Sequence, residues 1–215
     1  MNLRSATVLA TAILAVGCSR GGGTPGADDV RGWTAVLTSS DVYGQKRAVE
    51  ALVRIGEPAI PGLRGALADP GLDTRLAAVR ALARLGAPAG PALGLALRDV
   101  DPVVRREACD ALVAIGPSAA DEMRGALDAP NHAMRENAVL CAARLGAAGV
   151  SVLPGAFADP DGRVLDRGVE AAIAVGPASL PALEEARAKL QGTGRAAVDR
   201  AIEEIRRRDG SKPPA

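Results

Sequence analysis

A chain of 215 residues that is 48% hydrophobic but only 1% aromatic must build its core from Ala, Leu, Val and Ile. That suits close-packed helices and speaks against a β-sandwich. The formal net charge is +1, so no basic field marks nucleic acid as a partner.

Met1–Arg4 form a short basic start, and twelve uncharged residues follow from Ser5 to Val16. That run is too short to span a bilayer, which takes about 20 residues, but it fits the apolar region of a signal peptide. The stretch Leu14-Ala15-Val16-Gly17-Cys18 resembles the lipobox of bacterial lipoproteins, with Ala15 where Leu, Val or Ile is usual. The resemblance implies cleavage before Cys18 and lipidation of its thiol, which would anchor the protein to a membrane. Ser19 after the cysteine is similar to lipoproteins sorted to the periplasmic face of an outer membrane. Removing residues 1–17 takes away Arg4 and leaves equal numbers of basic and acidic residues. Residues 18–27 then read as the lipidated cysteine and a flexible Gly/Pro tether.

From residue 28 to 208 the chain keeps time. Gly56, Gly86, Gly116, Gly146 and Gly176 lie thirty positions apart, each preceded by Ile55, Leu85, Ile115, Leu145 or Val175. Eight positions before each stands Ala48, Ala78, Ala108, Ala138 or Gly168, and seven after it Leu63, Leu93, Met123, Leu153 or Leu183. A strict period of this length predicts stacked helix pairs. The second helix of each pair is expected to end at its glycine in a left-handed cap. It should start about fourteen residues earlier, after the N-caps Asp41, Asp101, Asn131 and Asp161. In the second repeat Gly71 takes that place, and Asp73 or Thr74 is expected to cap instead. Short turns bearing Pro58, Pro61, Pro88, Pro91, Pro117, Pro177 and Pro181 open the first helices.

Two partial units complete the array. Asp28–Ser39 should form the first helix of repeat one, with Trp33 in a leucine's place. At the other end Val198, Ala201, Ile202 and Ile205 fall on buried positions of a sixth second helix. There Arg206 replaces the glycine and the helix runs on as a polar cap. Residues 209–215 read as a disordered tail.

The run Asp101-Pro102-Val103-Val104-Arg105, followed by Ala108, Ala111, Leu112, Ile115 and Gly116, resembles the HEAT-like repeats also found in phycobilisome lyases. The resemblance implies an all-α solenoid of about six helix pairs, wound as a right-handed superhelix with second helices on the concave side. Arg75, Arg105, Arg135 and Arg195 recur eleven positions before the reference. Read as in HEAT repeats, they pair with Asp69, Asp99 and Asp128 of the preceding inter-helix turn rather than bind a ligand.

On the helical wheel the concave face collects Lys46, Arg47, Glu50, Arg54, Leu76, Arg80, Arg84, Arg106, Glu107 and Asp110. Glu136, Asn137, Leu140, Arg144, Asp166, Arg167 and Glu170 continue it. The early repeats are more basic and the later ones more acidic. Leu76 and Leu140, apolar in a charged lining, are expected to anchor a partner segment.

The remaining residue types point away from chemistry. With His132 as the only histidine and no Cys-x-x-Cys, zinc has no ligand set, and His132 is expected to be solvated. Cys109 and Cys141 are expected as buried free thiols, though adjacent helix edges could bring them together. No catalytic motif stands out, and no metal or cofactor is implied. The expectation is a monomeric, non-enzymatic scaffold that holds a protein or peptide on its concave face in the bacterial cell envelope. An enzyme or enzyme subunit related to bilin lyases, and a plain structural spacer, are the alternatives.

Overall fold

The structure is a computed structural model and describes residues 24–39 and 41–210. Among these, α-helices and short 3-10 turns are formed and no strand. The first helices of the six pairs are α1 (Val30–Leu37), α3 (Ile60–Ala66), α5 (Gly90–Ala96), α7 (Ala120–Gly125), α9 (Leu153–Phe157) and α11 (Leu180–Lys189). The second helices are α2 (Val42–Ile55), α4 (Leu72–Leu85), α6 (Pro102–Ile115), α8 (His132–Arg144), α10 (Gly162–Val175) and α12 (Gly192–Asp209). Each second helix packs on the next second helix and on its own partner, so the chain is an α-solenoid. No helix among the described residues is long and apolar enough to cross a membrane.

The period works because each of its positions has a physical task. Leu63, Leu93, Met123, Leu153 and Leu183 are fully buried, as are Ala48, Ala78, Ala108 and Ala138. Small residues at the latter sites let helices approach closely. In repeat five the site is Gly168, where an added Cβ would lie 2.9 Å from Ala156 Cβ and 3.2 Å from the ring of Phe157. Phe157 stands where Leu67, Leu97 and Leu127 stand in earlier repeats. The larger ring and the missing methyl therefore compensate each other.

The caps follow the sequence with two corrections. Asp41, Asp101, Asn131 and Asp161 accept from the backbone N–H two residues on, at 3.1, 2.7, 2.8 and 3.0 Å. At Gly71, however, neither Asp73 nor Thr74 caps α4. Asp69 instead accepts the Gly71 N–H at 2.8 Å, and Thr74 is buried. The repeat glycines do have positive φ, but Gly56, Gly86, Gly116 and Gly176 combine it with ψ between −144° and −152°. That is the mirror image of extended backbone, not the left-handed helical cap expected, and it is open to glycine alone. Gly210, after α12, does take the left-handed helical cap, with φ 68° and ψ 9°.

Repeat five has the shortest first helix. A 3-10 stretch covers Gly146–Val152 and leaves five residues for α9. The proline that opens the neighbouring turns is missing here. Gly149 packs so closely on the Ala142 carbonyl that a Cβ would collide with it.

At the ends, α1 is shorter than Asp28–Ser39, with Asp29 as its N-cap. The segment read as a tether is folded against the first repeat from Thr24 on. Thr24 Oγ1 accepts from Arg47 at 3.1 Å, and Gly26 O accepts the Trp33 indole N–H at 2.8 Å. The leader, Cys18 and residues 211–215 lie outside the described residues.

Candidate functional site

The second helices bury one stripe and leave the opposite one open, so residues ten, nine, six and two before each glycine line a common face. Most of its charges are used between neighbouring helices. Arg84 of α4 makes a two-pronged contact to Glu50 of α2 at 2.5 and 3.0 Å. Arg80 grips Glu107 of α6 at 3.0 and 2.7 Å. Arg144 of α8 reaches Asp110 of α6 at 2.6 Å, and Arg167 of α10 lies 3.8 Å from Glu136 and 2.6 Å from Glu170. The hydrogen bond from Arg84 holds the Glu50 carboxyl below its ordinary value. The bond to Glu107 raises Arg80, and that to Glu50 raises Arg84.

The face is thus laced across its width, although each exposed pair contributes little by itself. Arg47 bonds Thr24, and Arg54 lies close enough to favour the charged form of Glu50. Arg106 is exposed and forms no hydrogen bond or ion pair among the described residues.

The two proposed anchors part company. Leu76 is half-buried and packs against the core, so it is not the exposed residue expected. Leu140 is 43% exposed, in a lining of mostly polar side chains. Sequence reasoning missed three further apolar residues in the first turns of α2 and α4, namely Val42, Tyr43 and Leu72, which are 60%, 81% and 38% exposed. The signal was present. The residue after the N-cap is exposed in every one of these repeats except at the half-buried His132, and here it is Val42 and Leu72 rather than the Pro102, His132 and Gly162 of later repeats.

The arginine ladder runs in the opposite direction from that expected. Arg75 bonds Asp99 of the following turn through Nε and Nη2, at 2.8 and 3.2 Å. To the preceding turn it donates only to the Asp69 and Pro70 carbonyls. Arg135 repeats this with Asp159, at 2.7 and 3.0 Å, and with the Ala129 carbonyl. Asp128 sits 4.0 Å from Arg98 instead. Arg105 keeps the carbonyl contacts, to Asp99 and Val100, but position 129 is alanine and its buried Nε has no partner.

Cys109 and Cys141 are not free thiols. They form a disulfide between α6 and α8, with Cα atoms 5.5 Å apart. His132 is half-buried rather than solvated, 3.9 Å from Glu136 and 4.0 Å from Asp161. Among the described residues no group of three or more His, Cys, Asp or Glu side chains could hold a metal ion.

Residues 30–94 and 90–174, more than half of the chain, match the family model of HEAT repeats. The chain belongs to the HEAT-repeat family. Among solved structures it is similar to human deoxyhypusine hydroxylase in complex with glycerol, at 22% identity over 85% of this chain and 75% of that one, with a TM-score of 0.44. An engineered protein is 20% identical over 86% and 98% of the two chains, with a TM-score of 0.43. A computationally designed armadillo repeat protein for modular peptide recognition is 20% identical over 80% and 98%, at 0.39. No curated protein matches the chain.

Proposed function

We propose that this HEAT-repeat protein is a lipid-anchored scaffold of the bacterial cell envelope, with no catalytic role of its own, whose second-helix face holds a protein or peptide. The observation that carries the binding role is Leu140, an exposed aliphatic side chain on a face where several charges are paired across neighbouring helices. Such a face is electrostatically quiet and rigid, so an apolar side chain on it becomes the natural seat for a partner's anchor. Val42, Tyr43 and Leu72 add exposed apolar side chains in the first turns of the second helices of repeats one and two.

Two features support the envelope. Leu14 to Cys18 resembles a lipobox, and a buried disulfide fits an exported, oxidising compartment better than a reducing cytoplasm. Photocrosslinkers placed at Leu140 and Tyr43, with Arg64 on a first helix as control, test the binding role in living cells. The expected result is one envelope protein captured from the first two sites and not from the third. Equal capture from all three sites would remove the assignment. Feeding cells a clickable palmitate tests the anchor separately, with label expected on the native chain and lost in Cys18→Ser.

A further inference from the structure

Three consecutive junctions between second helices can be compared atom for atom, because the period is unbroken. At the first, α4 is tied to the turn before the next first helix's partner by Arg75 and Asp99. At the third, α8 is tied in the same way by Arg135 and Asp159. Both carboxylates are almost wholly buried, and both also accept the N–H that starts the Asx turn two residues on. At the second junction the arginine is present and the acid is not. Arg105 Nη1 makes the same two carbonyl bonds, while Nε is shut away from water with nothing to donate to, because Ala129 stands where Asp99 and Asp159 stand. A buried donor without an acceptor weakens the place where it sits. It is this junction, α6 against α8, that the Cys109–Cys141 disulfide spans.

We infer that the disulfide replaces the missing Arg–Asp rung, and that the α6/α8 junction is a joint whose strength depends on oxidation. Reduction delivers two electrons and two protons, one of each to either sulfur, and a dithiol donor is converted to its own disulfide. The joint then keeps its apolar contacts and the exposed Arg144–Asp110 pair, while the junctions on either side keep their buried ion pairs. Arg144, which lies 3.4 Å from Cys109 Sγ and bonds Asp110, and Leu140, next to Cys141, belong to the same joint. Its redox state therefore also sets the local shape of the proposed binding face.

Hydrogen exchange on the whole folded chain, oxidised and then reduced with dithiothreitol, is the test, with thiol trapping to confirm two free cysteines. Amides of α6 and α8 are expected to exchange on the order of a hundredfold faster after reduction, with much smaller changes in α2 and α4. Ala129→Asp should restore the rung and slow that exchange about tenfold in the reduced chain. C109A/C141A, alone and with Ala129→Asp, gives the same comparison without reductant. A uniform rise over all the described helices would overturn the inference. So would a reduced Ala129→Asp chain that exchanges like its parent, or one whose oxidised form melts below the parent, since alanine would then be filling its site properly.

Discussion

Gly168 and Phe157 show how a single methyl is accommodated in this array. An alanine at 168, standard in the earlier repeats, would press on both Ala156 and the Phe157 ring. Gly168→Ala should therefore destabilise the protein by about 1–3 kcal/mol. The double variant Gly168→Ala with Phe157→Leu, which recreates the pair of earlier repeats, should recover most of the loss in thermal unfolding. The repeat glycines are stricter still. Gly86, at φ 72° and ψ −144°, has open space where a Cβ would go, so any loss on substitution is backbone strain. Gly86→Ala should cost about 1–3 kcal/mol, and Gly86→Asn no less, because asparagine relieves only the left-handed helical region. Denaturant unfolding of both variants measures this. These residues also show what could be read in advance. The period located every one of the glycines, because spacing is a property of sequence, but ψ is set by the chain's exit direction into the 3-10 turn.

Asp161 carries a pH dependence of known sign. The Arg163 side chain, then the Arg163 backbone N–H, hold its carboxyl well below the ordinary carboxylate range. A carboxyl depressed on folding contributes fully above its unfolded value near ~4, and that contribution is lost as pH falls toward the folded value. Arg163→Ala should move the Asp161 titration midpoint upward, as read by side-chain carboxyl chemical shifts. Asp161→Asn should keep the cap of α10, as Asn131 caps α8, and remove the acid dependence.

For the helices, neighbour relations matter more than composition. The direction of the arginine ladder was not legible, because Asp69 and Asp99 are both plausible partners of Arg75 by distance along the chain. Only the stacking order decides that the carboxylate comes from the turn ahead while the turn behind supplies carbonyls. The same holds for Cys109 and Cys141, seven and five residues before their glycines. Their bond depends on which edge of α6 meets which edge of α8, and spacing within one helix is silent about that. Leu76 and Leu140 illustrate the limit on the face itself. A wheel places both outward, yet Leu76 is half-covered by packing against the core and Leu140 is not. At this scale Arg135→Met should weaken the α8 to α10 junction, leaving Asp159 buried without its partner, and lower the melting temperature by several degrees.

The molecule as a whole was the most legible level, since five repeats of one pattern leave little freedom in how the helices stack. With contacts confined to neighbours, α1 and α12 have a neighbour on one side only, and local opening should begin there. Amide protection is expected to be lowest in those two helices and highest from α4 to α8 in the oxidised protein. Hydrogen exchange resolved by peptide reads this directly, and a flat profile would contradict the one-dimensional picture.

Trp33 is the chain's single tryptophan, and it sits in α1 with its ring buried and its indole N–H tied to Gly26. The protein therefore has a built-in optical gauge at one extremity and none elsewhere. On gentle warming its emission should shift to the red while far-ultraviolet ellipticity still reports intact helices. The temperature gap between the two signals would measure how far the end unravels ahead of the middle.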